Sequence, residues 1–110
     1  MVPFYFKENE MIKGKTDSGF EFEVDENRLD DVRLVDAIAT IEDKSNPVAV
    51  ARAHYDLRLV LLGEDQNRKL ITFVKKKHGD EDYAPAPEVN DIVSEIMTKI
   101  GETNSKVKNS

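Results

Sequence analysis

The segment Asn46–Gly79 constrains the fold of this 110-residue chain more than any other. It opens with an Asn-Pro pair: Asn46 can accept hydrogen bonds from the free amides of a first helical turn, and Pro47 suits the first helical position, which needs no backbone donor. Gly63 can adopt the left-handed conformation that ends a helix. Acidic and polar residues follow it directly, where the dipole of a second helix favours them. So short a connection predicts two neighbouring helices, that is, a helical hairpin.

Apolar residues of this helical hairpin recur at steps of three and four residues, the spacing that lines one face of a helix. They are Val48, Val50, Ala51, Tyr55, Leu59 and Leu62 in the first helix and Leu70, Ile71, Phe73 and Val74 in the second. Leu57, Leu61 and Ile71 cannot all be buried by a single stripe. These three are the candidates for an exposed strip that binds a helical partner. The alternative is that they belong to the core of a bundle packed on two sides, and the sequence leaves both open.

A β-hairpin is predicted before the helices, over Ile12–Asp25. Apolar and acidic side chains alternate along Phe20–Val24, as in a strand with one buried face. The turn Thr16–Gly19 ends in a glycine, which suits its left-handed position. Two strands alone are only marginally stable, so their phenylalanine face must pack on helices.

Two further helices complete the predicted fold. The first is capped by Asp30 or Asp31, and its inner face is expected to contain Val32, Val35, Ile38 or Ala39, and Ile41 or Glu42. The last helix has the clearest amphipathic pattern of the chain, and Gly101 is expected to end it. Its apolar positions are Val89, Ile92, Val93, Ile96, Met97 and Ile100. The predicted fold class is mostly α (α+β), with the N-terminal β-hairpin packed on a small bundle of about four helices.

The chain is expected to form one globular domain, residues 13–102, between two terminal segments. Residues 1–12 are an N-terminal extension or an edge strand, because Val2–Phe6 is apolar and aromatic while Pro3 excludes it from the middle of a sheet. Residues 103–110 are polar and lack aromatic side chains, which predicts a disordered tail.

Composition limits what the protein can bind. The chain has no cysteine, which excludes disulfides, thiolate nucleophiles and sulfur-ligated metals. A net charge of −6 disfavours nucleic acid, whose phosphates repel an acidic protein. The longest apolar run, Leu59–Leu62, is too short to span a bilayer, and the N-terminus lacks a secretion signal. We therefore expect a cytoplasmic protein that binds neither membranes nor nucleic acid.

A catalytic constellation is not apparent in the sequence. His54 and His78 are the only histidines, and His78 is expected at a helix end, where the dipole favours a cation. The acidic segment that begins at Asp25 does not fit a calcium-binding EF-hand, because Asp30 stands where that loop requires glycine. Glycine-rich phosphate loops and serine elbows are also missing. The sequence predicts a protein that is not an enzyme and holds neither a cofactor nor a metal.

Four short motifs, taken in their order and spacing, carry a resemblance to a known family: Gly19–Phe22, Leu29–Asp31, Asn46–Pro47 and Leu61–Glu64. Over residues 13–102 the chain resembles the small tail assembly chaperones of long-tailed phages and prophages of Gram-positive bacteria. The segment before Met11 is a departure from the pattern of that family.

The resemblance implies a mostly helical, non-catalytic protein that acts only during tail morphogenesis. Such a protein would bind the tape-measure protein and tail-tube subunits, and would either form a homo-oligomer or coat its client. It would work in the cytoplasm of the bacterial host and be absent from the mature virion. An alternative from a different class is a small acidic adaptor or inhibitor domain that binds a host protein, since an acidic surface suits a basic target.

Overall fold

The computed structural model describes residues 11–108, with side chains for residues 11–102. Its elements are the strands β1 (Met11–Lys15) and β2 (Glu21–Asp25) and the helices α1 (Val32–Asp43), α2 (Pro47–Lys77) and α3 (Ala86–Lys108). The prediction of a mostly helical fold with an N-terminal β-hairpin is confirmed. The predicted extension or edge strand at residues 1–12, Val2–Phe6 included, falls outside the described residues except for its last two.

The β-hairpin packs one face on the helices, as its alternating pattern predicts. β1 and β2 pair antiparallel, with Gly14 opposite Phe22. Phe20, Phe22 and Val24 are all buried, and the strands contact α2 and α3. The turn is closed by the Thr16 hydroxyl, which accepts a hydrogen bond of 3.0 Å from the amide of Phe20. A two-stranded sheet is therefore stabilised mainly by what it packs against.

Helix α1 begins at a capping aspartate. The Asp31 carboxylate accepts hydrogen bonds from the backbone amide of Arg33 at 2.8 Å and from its guanidinium at 2.8 and 3.1 Å. Lys44 ends the helix in a left-handed conformation, with φ of 56°. Only Ser45 and Asn46 then separate it from α2, so the two helices lie antiparallel as neighbours.

The predicted inner face of α1 is wrong for Val32 and Val35, whereas the predicted alternatives Ile38 and Ile41 do contact the core. Val32 and Val35 are 67% and 53% exposed, whereas Leu34 is only 1% exposed. The side chains that contact the core are Leu34, Ala37, Ile38 and Ile41. They also recur at steps of three and four residues, so α1 carries two apolar stripes, and the one with the larger aliphatic side chains is buried.

Helix α2 is a single helix broken at one residue. It begins at Asn46, whose side-chain oxygen accepts from the amides of Val48 and Ala49 at 3.1 and 3.2 Å. Gly63 alone leaves the helical conformation, with φ 81° and ψ 167°, so two helical segments meet there at a kink. The prediction of about four helices is therefore corrected to three among residues 11–108, because the glycine breaks α2 without a connecting loop. We call residues 47–62 and 64–77 the N-terminal and C-terminal halves of α2.

A hydrogen bond across the break shows that the two halves of α2 bend toward each other. Arg58 Nε donates to Asn67 Oδ1 at 2.9 Å, although the residues are nine positions apart. On a straight helix nine residues rise by about 13.5 Å, which is more than these two side chains can span.

Helix α3 confirms its predicted buried face but not its predicted end. Val89, Ile92, Val93, Ile96 and Ile100 are all buried. The helix continues through Gly101 to Lys108, so the prediction that the glycine ends it is wrong. Glycine inside a helix costs only about 1 kcal/mol relative to alanine, and Gly101 does not adopt positive φ. The backbone of residues 103–108, predicted as part of a disordered tail, belongs to this helix.

One apolar core joins the described elements. Buried side chains from the β-hairpin and from all three helices form a single cluster. Its centre contains Val24 of β2, Leu70 and Val74 of α2, and Ile96 of α3, all of them 0% exposed. Helix α2 contacts both β2 and α3, β1 contacts α3 directly, and α1 packs beside α2.

Candidate functional site

The three residues proposed from the sequence as partner contacts lie in or against the core. Leu57 and Leu61 are only 7% and 2% exposed. Ile71 is half-buried and packs on the same cluster. Leu57 and Leu61 therefore belong to the core, which is the second of the two alternatives given above. Helix α2 contributes more than one apolar stripe to that core.

Other apolar side chains are exposed instead. Val32 and Val35 on α1 are accompanied by Val48 and Tyr55 on α2, which are 79% and 44% exposed. Ala39 and Ala51, which share their faces of the two helices, are exposed as well. We call this set the outer face, and it consists of Val32, Val35, Ala39, Val48, Ala51 and Tyr55.

The rotation of the helices explains why these residues point away from the core. Each helical residue turns by about 100°, so Val48 and Tyr55 lie roughly 160–180° from the buried Leu57. On α1, Val32 and Val35 lie roughly 100–160° from the buried Leu34. The groove between α1 and α2 is lined by other side chains, so the two exposed stripes do not share it; these side chains are Arg33, Asp36, Asp56, Leu59 and Val60.

Tyr55 is the aromatic centre of the outer face. Two guanidinium groups lie over its ring, that of Arg52 at 6.0 Å and that of Arg58 at 5.5 Å from the ring centroid. Arg52 also contacts the Asp56 carboxylate at 3.4 Å. Cation–π contacts of this kind contribute about 0.5–1 kcal/mol at exposed sites. Tyrosine and arginine are the side chains most enriched at binding hot spots, so this cluster is well suited to contact a protein.

Arg58 differs from the other arginines of the helices. Its guanidinium is half-buried, and burial lowers the pKa of this group from its ordinary value. Its hydrogen bond goes to the neutral side chain of Asn67. Arg33 and Arg68, by contrast, contact the carboxylates of Asp31 and Asp65. Among the residues whose side chains are described, no carboxylate pairs with Arg58.

A second concave surface lies between the β-hairpin and the C-terminal half of α2. This open groove has a volume of about 700 Å³, and its floor contains Phe20 and Phe73, whose rings meet edge to face at 5.5 Å. Its rim mixes signs of charge, with Arg68, Lys69 and Lys76 beside Glu21 and Asp65. The polar groups on the rim are exposed surface side chains.

Gln66 fixes the strand that borders this groove. Its side-chain oxygen accepts from the backbone amide of Glu23 at 2.7 Å, while its nitrogen donates to the Glu23 carbonyl at 2.5 Å. The nitrogen also donates to the Leu62 carbonyl at 2.9 Å, next to the break in α2. One amide side chain therefore takes the place of a neighbouring strand on the outer edge of β2 and ties the hairpin to the bend.

The two histidines lie apart. His54 is half-buried on the N-terminal half of α2. His78 caps the C-terminus of α2, as predicted, and its Nε2 lies 2.6 Å from the carboxylate of Glu88 in the first turn of α3. The Tyr83 ring contacts His78 edge-on at 6.1 Å. This cluster joins the end of α2 to the start of α3, and the Glu88 carboxylate lies where the dipole of α3 favours an acidic side chain.

Groups of three or more histidine, aspartate or glutamate side chains that could hold a metal ion are not present among the described residues. Of the helices described, none is both long enough and apolar enough to cross a membrane.

Sequence reasoning named most of the outer face but expected it to be buried. Val32, Val35, Val48 and Tyr55 were all assigned to stripes facing the core. A signal was present, since Leu34 on α1 and Leu57 on α2 belong to competing stripes of the same helical period. Arg58 was missed altogether, although a charged residue in line with an apolar stripe is a recognisable pattern.

Comparisons with family models, curated proteins and solved structures returned no match to this chain.

Proposed function

We propose that this protein is a non-catalytic assembly chaperone of long-tailed phages, which binds the tape-measure protein and tail-tube subunits while the tail is built. The proposal starts from the resemblance carried by the motifs between Gly19 and Glu64. It places the protein in the cytoplasm of the bacterial host and leaves it out of the mature virion. It requires neither a cofactor nor a metal.

The observation that most supports a binding role is the outer face. Four large apolar side chains on two adjacent helices are more than 40% exposed, and a tyrosine flanked by arginines is among them. Large exposed apolar side chains beside a tyrosine and arginines are typical of interaction sites. An exposed helical stripe with apolar side chains at steps of three and four residues suits a helical client, which a tape-measure protein would supply.

Co-expression with the tape-measure protein of the same genome tests the proposal. We expect the client to be insoluble alone and to co-purify as a soluble complex when this protein is present. Val35→Asp and Val48→Asp should reduce that recovery, because each places a charge on the outer face. Met11→Asp is the matched control, since Met11 is 44% exposed but lies on the β-hairpin.

The outcome that would lead us to abandon the chaperone function is a client that stays insoluble and does not bind over a wide range of concentrations. The acidic character of the chain, with a net charge of −6, favours a second candidate in that case. A small adaptor or inhibitor domain would bind a basic host protein, and its association should weaken steeply with salt.

A further inference from the structure

We infer that the N-terminal half of α2 docks an amphipathic helix of the partner, which presents a carboxylate to Arg58. The inference rests on the proposed function only for the identity of the partner. The chemistry of the docked segment follows from the side chains of α2 themselves.

The exposed stripe of α2 has the spacing of a coiled-coil seam. Val48, Ala51, Tyr55, Arg58 and Leu62 follow one another at steps of three, four, three and four residues. These are the a and d positions of a heptad repeat, which a second helix can fill with its own apolar side chains. The first three residues of this seam are exposed, Arg58 is half-buried, and Leu62 is buried at its end.

Helix-in-groove recognition reads apolar anchors spaced by three and four residues, which is the spacing of this seam. The exposed stripe of α1 is a separate surface, because the groove between α1 and α2 is lined by other side chains, namely Arg33, Asp36, Asp56, Leu59 and Val60.

The positive charge of Arg58 determines which side chain the docked helix must present. Arg58 is half-buried, stacked on Tyr55 and bonded to a neutral amide, and the described residues offer it no carboxylate. A guanidinium that has already lost part of its hydration gains strongly from a bidentate carboxylate. An aspartate or glutamate beside the apolar seam of the partner helix would supply it.

A second copy of this chain does not meet that requirement through the α2 seam. In an antiparallel pairing centred on Tyr55, Arg58 would face Ala51 of the other copy. In a parallel pairing, Arg58 would face its own equivalent and the two charges would repel. Neither arrangement of the seam brings a carboxylate to the guanidinium, whereas an acidic helix from another protein does.

The test uses two synthetic helices as probes, each of about three heptads with leucine at positions a and d. One peptide carries glutamate at the flanking e and g positions, and the other carries lysine there. The net charge of −6 on the protein attracts the lysine peptide at long range, so a preference for glutamate must come from a local contact. Binding is measured by fluorescence anisotropy at two salt concentrations.

We expect the glutamate peptide to bind about tenfold or more tightly than the lysine peptide. Arg58→Glu should reverse that order, and Val48→Asp should weaken both peptides. Arg68→Glu is the matched control, because Arg68 is exposed, lies on the C-terminal half of α2 and should leave the preference unchanged. Circular dichroism melts check that each variant folds. Val48→Asp leaves the Arg58–Asn67 hydrogen bond intact and changes a side chain that is 79% exposed, so it tests the surface without disturbing the bend.

Three results with the peptides would overturn the inference: equal or tighter binding of the lysine peptide, binding of neither peptide, or a preference that survives Arg58→Glu. A dimer in solution that Val48→Asp converts to a monomer would assign the outer face to a second copy instead. Failure of the proposed function is a separate result. If the tape-measure client stays soluble with both Val48→Asp and Arg58→Glu, the chaperone function stands and this binding site is refuted. If the peptides bind but the client does not, the binding site stands and the chaperone function is refuted.

Discussion

Replacing Gly14 by alanine tests how the β-hairpin is held on the helices. Gly14 lies opposite Phe22, and the phenylalanine ring crosses over the glycine. A Cβ atom at this position would lie 2.6 Å from Phe22 Cζ and 3.0 Å from Cε2. Carbon atoms do not approach so closely, so either the ring or the strand must move. Phe22 is only 3% exposed, which leaves its ring little room.

The expected cost of Gly14→Ala follows from that geometry. Overpacking a close-packed core typically destabilises a protein by about 1–3 kcal/mol. The gain in strand propensity from glycine to alanine is smaller and does not offset it. The free energy of unfolding should therefore fall by about 1–3 kcal/mol, measured by urea denaturation followed by circular dichroism.

Two further variants test whether the Phe22 ring causes the loss of stability in Gly14→Ala. Gly101→Ala is the matched control, because a Cβ there meets nothing within 4 Å, and we expect it to stabilise α3 by up to about 1 kcal/mol. Phe22→Leu shortens the side chain, so in its presence the additional cost of Gly14→Ala should shrink in a double-mutant cycle. A Gly14→Ala protein as stable as the wild type, or a cost that does not depend on Phe22, would refute this reasoning.

Three other predictions follow from local geometry. Gly63→Ala should destabilise the protein by about 1–3 kcal/mol in urea denaturation through backbone strain alone, since the added Cβ would have no atom within 4 Å but φ is 81°. A Gly63→Ala protein that is as stable as Gly101→Ala would contradict this. Asn46→Ala should lower the free energy of unfolding by about 1 kcal/mol, because it removes the cap of α2. Asn46→Asp should lower it much less, because the aspartate oxygen can accept the same hydrogen bonds. Hydrogen bonds from Arg33 lower the pKa of Asp31 from 3.8 to about 2. A lowered pKa means that the carboxylate stabilises the fold fully above pH 3.8 and that this contribution is lost as the pH falls toward 2. The stability difference between wild type and Asp31→Asn, followed by thermal melts, should shrink over that window, and a constant difference would exclude this role.

Much of the local structure could be predicted from short-range chemistry. Asn46 and Pro47 start α2, Asp31 caps α1, and the alternation along Phe20–Val24 produces a strand with one buried face. Each of these depends on neighbouring residues and on backbone hydrogen bonds, which the sequence shows directly. The buried face of α3 could also be predicted, because it has a single apolar stripe.

Gly63 and Gly101 show where such local rules stop. Both glycines were expected to end helices. Gly63 does interrupt the helical conformation of α2, with φ of 81°, whereas α3 continues through Gly101. The difference depends on what surrounds each residue. At Gly63 the bend is held by Gln66 and by the Arg58–Asn67 bond, contacts between residues that a local pattern does not connect.

The sequence by itself determined the elements of this protein, their caps and the presence of two apolar stripes on α1 and on the N-terminal half of α2. Only the tertiary structure decided which stripe of each pair is buried. Both stripes have the helical period, so periodicity alone has two solutions. The choice depends on burying Leu34 and Leu57 in the cluster formed with the β-hairpin and α3, which removes more apolar surface from water than burying Val32 and Val48 would. The candidate site is the stripe that this packing leaves outside.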